Sequence, residues 1–308
     1  MNNNISICLS DISPEPWVAS LKKELPDATV SVWKPGNPLA DYAIVWAPPQ
    51  QFIDEQTDLK VLFNIGAGVD NLLQLSLPLS LKVVRLEDAG VSVEMSEYVC
   101  HAVIRYFREF KQHETNKQLS KWSYRKTKTR NDFTIGVMGL GTLGMQVVKT
   151  LQMFQYPING YSRNLKEIEG VNCFSGEHGL TEFLNNTRVL VNLLPLTPET
   201  ENIMNYDTLS KLQEGGYVIN VARGKHLVDD DLLKLIDMGH LSGATLDVFR
   251  TEPLPVNHPF WQHPKITITP HTAARTQREE SIAQIAMKIH ALQQGSSITG
   301  VIDIQRGY

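Results

Sequence analysis

Cysteine is scarce in this chain. Cys8, Cys100 and Cys173 are odd in number and stand in no metal-ligand spacing. That excludes a disulfide scaffold and a thiolate metal centre, and it suits a reducing cytoplasm. Long apolar runs are lacking too, and none approaches the roughly 20 residues of a membrane span. The opening residues, MNNNISICLSDISPEPW, carry no basic segment ahead of their short apolar run, so no signal peptide is expected. Charge of one sign is also wanting: 29 basic against 33 acidic side chains leave a net charge of −4. That balance calls for neither nucleic acid nor a membrane surface. Basic residues concentrate only at 121–130, KWSYRKTKTR, and a single loop of that kind reads as a solvated arm rather than a nucleic-acid site. Repeats and low-complexity segments are missing. A chain of 308 residues can build two domains with sizeable cores.

What is present is organised around residues 133–163, FTIGVMGLGTLGMQVVKTLQMFQYPINGYSR. A short apolar run leads into Gly139-Leu140-Gly141-Thr142-Leu143-Gly144, an amphipathic segment follows, and Ile158 to Tyr161 reads as a second strand. Strand, glycine turn, helix and strand make the βαβ unit of a dinucleotide-binding fold. Gly139 serves the tight turn, Gly141 the approach of backbone to a pyrophosphate, and Gly144 close packing of helix on strand. The helix N-terminus adds unpaired N–H groups and the positive end of its dipole. An NAD site places an acid about twenty residues on, to bind the ribose hydroxyls. Here Tyr161-Ser162-Arg163-Asn164 stands instead, with Lys166 beyond. Ser162 and Arg163 offer a hydroxyl and a guanidinium, which suit a 2′-phosphate. NADP(H) is therefore expected as the preferred cofactor, with NAD(H) possible.

Strands alternating with helical connections precede and follow this unit. Runs at 5–9, 30–33, 42–46, 61–64 and 82–86 give residues 1–97 an α/β sheet of their own. Two of its loops, Ala47-Pro48-Pro49 and Ile65-Gly66-Ala67-Gly68-Val69-Asp70, lie at strand ends where ligands bind. The glycine loop presents amides suited to a carboxylate; a plain turn into a helix is the competing reading. A continuous helical pattern runs from Ser96 to about Lys117, a candidate hinge or dimer contact. Further strands are read at 187–194, 216–222, 243–249 and 265–269, with helices at 229–238 and 276–294. The organisation predicted is α/β throughout: two Rossmann-like or flavodoxin-like doubly wound parallel sheets separated by a cleft. A dinucleotide-binding domain spans 98–275. The substrate-binding domain joins 1–97 to 276–308, the last helix returning to close it.

Three polar residues follow strands of the cofactor half: Arg223, Glu252 and His271. Strand ends gather at one edge of such a sheet. A guanidinium clamps a carboxylate, an imidazole passes a proton near neutral pH, and an adjacent carboxylate raises its pKa and fixes its tautomer. Taken singly, each has a plain structural reading: an ion pair, a loop acid, a turn histidine. Asp247, ending its strand, is a candidate partner for the nicotinamide amide.

These residues stand in motifs that place the chain. Gly66-Ala67-Gly68-Val69-Asp70, the glycine turn, Leu194-Pro195-Leu196-Thr197-Pro198-Glu199-Thr200, Val221-Ala222-Arg223-Gly224, Leu246-Asp247-Val248-Phe249 with Glu252-Pro253, and Thr269-Pro270-His271 resemble the D-isomer-specific 2-hydroxyacid dehydrogenases over nearly the full length. Val45-Trp46 with Pro48-Pro49, Tyr161-Ser162-Arg163, Asn192-Leu193-Leu194-Pro195 and Arg306-Gly307-Tyr308 resemble the branch of that family acting on glyoxylate and hydroxypyruvate. The resemblance implies an NADPH-preferring reductase of small 2-keto acids, cytoplasmic and homodimeric. It implies His271 as proton donor, Glu252 as its partner and Arg223 as the substrate clamp. It also implies cofactor contacts from Thr142, Leu143, Leu194, Pro195, Thr200, Val221 and Ala222, and substrate contacts from Trp46, Ala67 and Gly68. A different 2-keto acid, or a cofactor-sensing co-repressor with the same triad, is the alternative.

Overall fold

The computed structural model describes residues 3–66, 68–126 and 129–304, so Ala67 and the Arg306-Gly307-Tyr308 motif lie outside the described residues. The chain divides into two compact units, one running to Val91 and resuming at Arg275, the other Ser92–Ala274.

In the first unit, β1 (Asn4–Leu9), β2 (Thr29–Val32), β3 (Tyr42–Trp46), β4 (Val61–Asn64) and β5 (Lys82–Arg85) alternate with α1 (Glu15–Glu24) and α2 (Gln50–Glu55). The strands form one parallel sheet in the order β2-β1-β3-β4-β5. Both faces are covered, so central strands read as unbroken apolar runs, and alternate residues serve opposite cores. Ile5, Ile7, Ile44 and Phe63 pack on one side with Trp17 and Leu21 of α1, and Ala43, Val45 and Leu62 on the other with Phe52. The final helix (Arg278–Gln293) adds Ile282, Ile285, Ala286 and Ile289 to the α1 side. The edge of β5 is closed by the chain that follows, through Arg85 N to Gly300 O and Ile302 N to Val83 O.

The second unit opens with α3 (Val91–Phe107) and α4 (Phe110–Gln118). The continuous helix read from Ser96 to Lys117 is thus broken. Glu109 sits at φ 55°, in the left-handed region, and ends the register between them. The physical reason lies in the apolar stripe. Val99, Val103 and Phe107 are buried, whereas Phe110 is exposed and FKQHETNKQ offers no apolar face to continue it. The sheet then assembles from β6 (Ile135–Met138), β7 (Ile158–Tyr161), β8 (Val171–Phe174), β9 (Val189–Asn192), β10 (Gly216–Asn220), β11 (Leu241–Leu246) and β12 (Ile266–Ile268). All run parallel, in the order β12-β11-β10-β9-β6-β7-β8. The helices between them are α5 (Thr142–Met153), α6 (Gly176–Asn185), α7 (Tyr206–Leu209) and α8 (Asp229–Asp237).

Sequence periodicity explains the layers. Ile135, Val137, Val189, Val191 and Ile219 face α3 and α5, while Met138, Leu190 and Val218 face Leu232, Leu235 and Ile236 of α8. Helix α5 buries Gly144, Val147, Val148 and Leu151, a spacing of three and four that keeps one face on the sheet. Each such aliphatic side chain contributes about 1.5–3 kcal/mol when fully buried. The strand order reverses between β6 and β9, and at such a switch point the strand ends splay into a crevice. Among the described residues, no helix is long and apolar enough to cross a membrane.

Candidate active site

The crevice begins with the glycine turn after β6. Gly139 has φ 99°, and a Cβ there would meet the carbonyl of Leu193 at 2.6 Å. At Gly144 a Cβ would lie 1.8 Å from Gly139 O, so only hydrogen lets the helix approach the strand. Gly141 differs: a Cβ would meet nothing within 4 Å. Its smallness serves no protein neighbour, and it caps α5 without any side-chain hydrogen bond. The first-turn N–H groups of α5, at Thr142 and Leu143, have no intrahelical acceptor and are the donor set a pyrophosphate needs.

At the end of β7, Ser162 Oγ donates to Asn164 O at 2.8 Å, and Arg163 is exposed. Hydrogen bonds from the Thr197 hydroxyl and then from backbone N–H hold the Glu199 carboxyl below its ordinary range, with the smallest contribution from the positive charge of Arg163. Lys166 turns back to give its ammonium to Leu140 O at 2.5 Å, tying the basic turn to the glycine turn.

A buried polar knot shapes the ends of β9 and β10. Asn192 and Asn220 stand opposite each other in the parallel register. Asn192 Nδ2 donates to Asn220 Oδ1 at 3.0 Å and lies 2.9 Å from His226 Nδ1. An amide nitrogen only donates, so His226 Nδ1 is the acceptor. The proton is then on Nε2, which lies 3.2 Å from Pro195 O. The two asparagine oxygens receive the N–H groups of Leu194 and Ala222, and Asn220 Nδ2 donates to Arg223 O. Thus Leu194, Pro195, Ala222 and Arg223 are held by one network, with Val221 buried beside it. The Thr200 hydroxyl is spent within its own loop, donating to Pro195 O at 2.7 Å. Sequence reading quoted Asn192 only within a motif of resemblance and gave Asn192, Asn220 and His226 no role. The available signal was an asparagine closing each of two apolar runs, VLVN and GYVIN.

The three polar residues at strand ends come together. Gly224 packs so closely on the 249–250 backbone that a Cβ would lie 1.8 Å from Phe249 C, which brings the Arg223 turn against the loop bearing Glu252. Glu252 Oε1 accepts the Phe249 N–H at 2.9 Å, and Oε2 lies 2.7 Å from His271 Nδ1. Both side chains stay partly open, 36% for Glu252 and 45% for His271. The hydrogen bond to Glu252 raises the His271 pKa, helped by that carboxylate's charge and opposed by burial and by Arg223. Burial pushes Glu252 up, but its hydrogen bonds from His271 and Phe249, with the charges of His271 and Arg223, hold it below its ordinary value. With Nδ1–H committed to Glu252, Nε2 is the ring nitrogen free to pass a proton.

Asp247 proves to be a scaffold. Its carboxylate is buried and takes the Thr269 hydroxyl at 2.6 Å and the N–H groups of Thr272 and Ala273 at 2.8 and 2.9 Å. This is the carboxylate that the sequence reading offers to the nicotinamide amide, and here it holds the turn that bears His271. In the first unit, Asn64 Nδ2 donates to Gly66 O and Gly68 O, both at 2.9 Å, shaping the glycine loop. Gly66 lies under Trp46, where a Cβ would stand 2.1 Å from the indole.

A parallel sheet with an open glycine turn at its switch point and an imidazole–carboxylate pair beside an arginine defines a nicotinamide-dinucleotide oxidoreductase. Residues 100–273 match the model of the D-isomer specific 2-hydroxyacid dehydrogenase NAD-binding domain. The chain belongs to the D-isomer specific 2-hydroxyacid dehydrogenase family. It is 44% identical over 301 residues to the glyoxylate/hydroxypyruvate reductase A of Serratia proteamaculans, covering 96% of each chain. It also resembles, at 33% identity and TM-score 0.95 over the whole of both chains, a D-isomer specific 2-hydroxyacid dehydrogenase from Xanthobacter autotrophicus solved with NADPH and MES. An NADPH-dependent glyoxylate/hydroxypyruvate reductase from Sinorhizobium meliloti, solved with NADP and sulfate, matches at 33% identity and TM-score 0.94, again over both full chains.

Proposed function

We propose that the protein reduces small 2-keto acids, glyoxylate to glycolate and hydroxypyruvate to D-glycerate, with NADPH preferred and NADH accepted. The observation that carries this is the 2.7 Å contact of His271 Nδ1 with Glu252, within reach of the Arg223 charge. The names of the similar proteins support it.

A nicotinamide dinucleotide, when bound, supplies the hydride. The turn that Gly139, Gly141 and Gly144 permit and the first turn of α5 would hold its pyrophosphate, and Ser162 and Arg163 would take a 2′-phosphate, where no acid repels it. Arg223 pairs with the substrate carboxylate and steadies the carbonyl oxygen. Reduction at the carbonyl carbon would build negative charge on that oxygen, and His271 Nε2–H is placed to donate its proton there. Glu252 holds the imidazolium that makes this proton available at neutral pH. Reversal uses the same groups with neutral His271 as base.

The test is steady-state turnover of glyoxylate and hydroxypyruvate with NADPH, for the wild type and His271→Ala. The variant should lose about 10²–10⁴-fold in kcat while binding NADPH as before. A wild type that turns over neither keto acid, or a variant near normal, overturns the reading. A homodimer is also proposed, supported by Leu119, Trp122 and Tyr124, whose side chains stand exposed after α4. Sedimentation of Trp122→Ala with Tyr124→Ala should then show a monomer. The free cysteines, Cys8 and Cys100 among them buried, suit a reducing cytoplasm.

A further inference from the structure

We infer that Tyr98 and Thr269 are positioning residues of the reaction: a relay of hydrogen bonds from Tyr98 through Thr269 to Asp247 holds the 269–273 turn so that His271 meets Glu252. The inference deepens the reading of His271 as proton donor and rests on it.

The direction of the relay follows from donor counts. A carboxylate only accepts, so the single hydroxyl proton of Thr269 goes to Asp247 Oδ1, at 2.6 Å. Thr269 Oγ1 therefore receives its other partner, and Tyr98 OH, 2.5 Å away, is the donor. Burial pushes the Tyr98 phenol up to about 12, so it carries its proton across the working pH range. Tyr98 comes from α3, Thr269 from the residue after β12, and Asp247 from the residue after β11. Three elements are thus joined at one point beneath the turn.

The turn needs such support. His271 has φ 54°, a backbone conformation that residues with side chains avoid and keep only when their surroundings impose it. Its N–H lies 2.8 Å from Asp247 O and 3.1 Å from Thr269 O, and the next two N–H groups go to the Asp247 carboxylate. Both anchors of the His271 backbone are therefore the residues that the relay fixes. If the Asp247 carboxylate swings away, the turn can relax, and the imidazole leaves Glu252. The charged groups that face His271 are Glu252, Arg223 and Asp247. Glu252 contributes most, so losing it lowers the affinity of His271 for its proton.

Valine matches the shape of threonine but cannot donate, which separates the relay from mere filling of space. Thr269→Val should shift the ring titration of His271, followed by NMR in the full-length protein, to lower pH by about half a unit or more. The basic limb of keto-acid reduction should move with it, kcat should fall roughly tenfold, and NADPH affinity should hold. Thr269→Ser should restore both the titration and the limb, and Tyr98→Phe should give a smaller shift in the same direction. A Thr269→Val titration like that of the wild type, or a shift that serine does not reverse, overturns the relay. Should Thr269→Val fail to fold, Tyr98→Phe decides, an unshifted titration refuting the inference. The ring titration does not depend on turnover. A wild type inactive on both keto acids, with the titration shifting as stated, would refute the proposed reaction and leave the relay standing.

Discussion

Replacing Gly224 by alanine tests how the site is assembled without touching a catalytic side chain. The new methyl would start 1.8 Å from Phe249 C, 2.1 Å from Phe249 O and 2.3 Å from Arg250 N, all of them backbone atoms. Ordinary contact begins near 3.4 Å, so the two segments must separate by about 1.6 Å. Nothing flexible stands there to yield. The segment on one side carries Arg223, and the segment on the other carries the Phe249 amide that holds Glu252. A shift of about an ångström between catalytic partners costs roughly a hundredfold in rate. Overpacking of this kind also costs about 1–3 kcal/mol of stability, or about 2–12 °C in Tm for a unit of this size. The assay is kcat/KM for glyoxylate with NADPH, beside thermal unfolding and NADPH titration. Gly224→Ala should lose about 10²-fold in kcat/KM yet stay folded at 25 °C and bind NADPH. A variant with near-normal kcat/KM would refute the claim that this packing sets the Arg223–Glu252 geometry.

Glu252→Gln removes the carboxylate that raises the His271 pKa. The protonated form then persists to a lower pH than before, so the basic limb of the reduction profile should move down; a limb that stays in place contradicts the pairing. Arg163→Ala should weaken NADPH about ten- to a hundredfold, the worth of one charge-assisted phosphate contact, and leave NADH nearly unchanged. Equal loss in titrations with both cofactors would show that Arg163 does not read the phosphate.

Much of this protein is local in origin and could be read along the chain. Apolar runs of four to six residues gave parallel strands because a strand covered on both faces tolerates no polar side, and α5 followed from a three-and-four spacing. The glycine turn was legible because its three glycines stand at fixed spacing between an apolar run and an amphipathic one, a pattern contained in about a dozen consecutive residues. Other features depend on contacts between distant segments. Strand β8 and helix α6 escaped notice, since VNCF is a four-residue, half-buried edge strand whose apolar run is broken by Asn172. The α3–α4 break turns on where the core ends, at Phe107, and not on any helix-breaking residue. Asn192 and Asn220 become a pair only through the register of β9 on β10. Glu252 and His271 were suspected by type, but eighteen intervening residues conceal a 2.7 Å contact made by two loops that strands β11 and β12 bring side by side. Asp247 shows the difference most plainly. In sequence it is a polar residue ending a strand, free for any ligand. In the fold its carboxylate is buried, and burial obliges it to find donors, which it takes from the turn that carries His271.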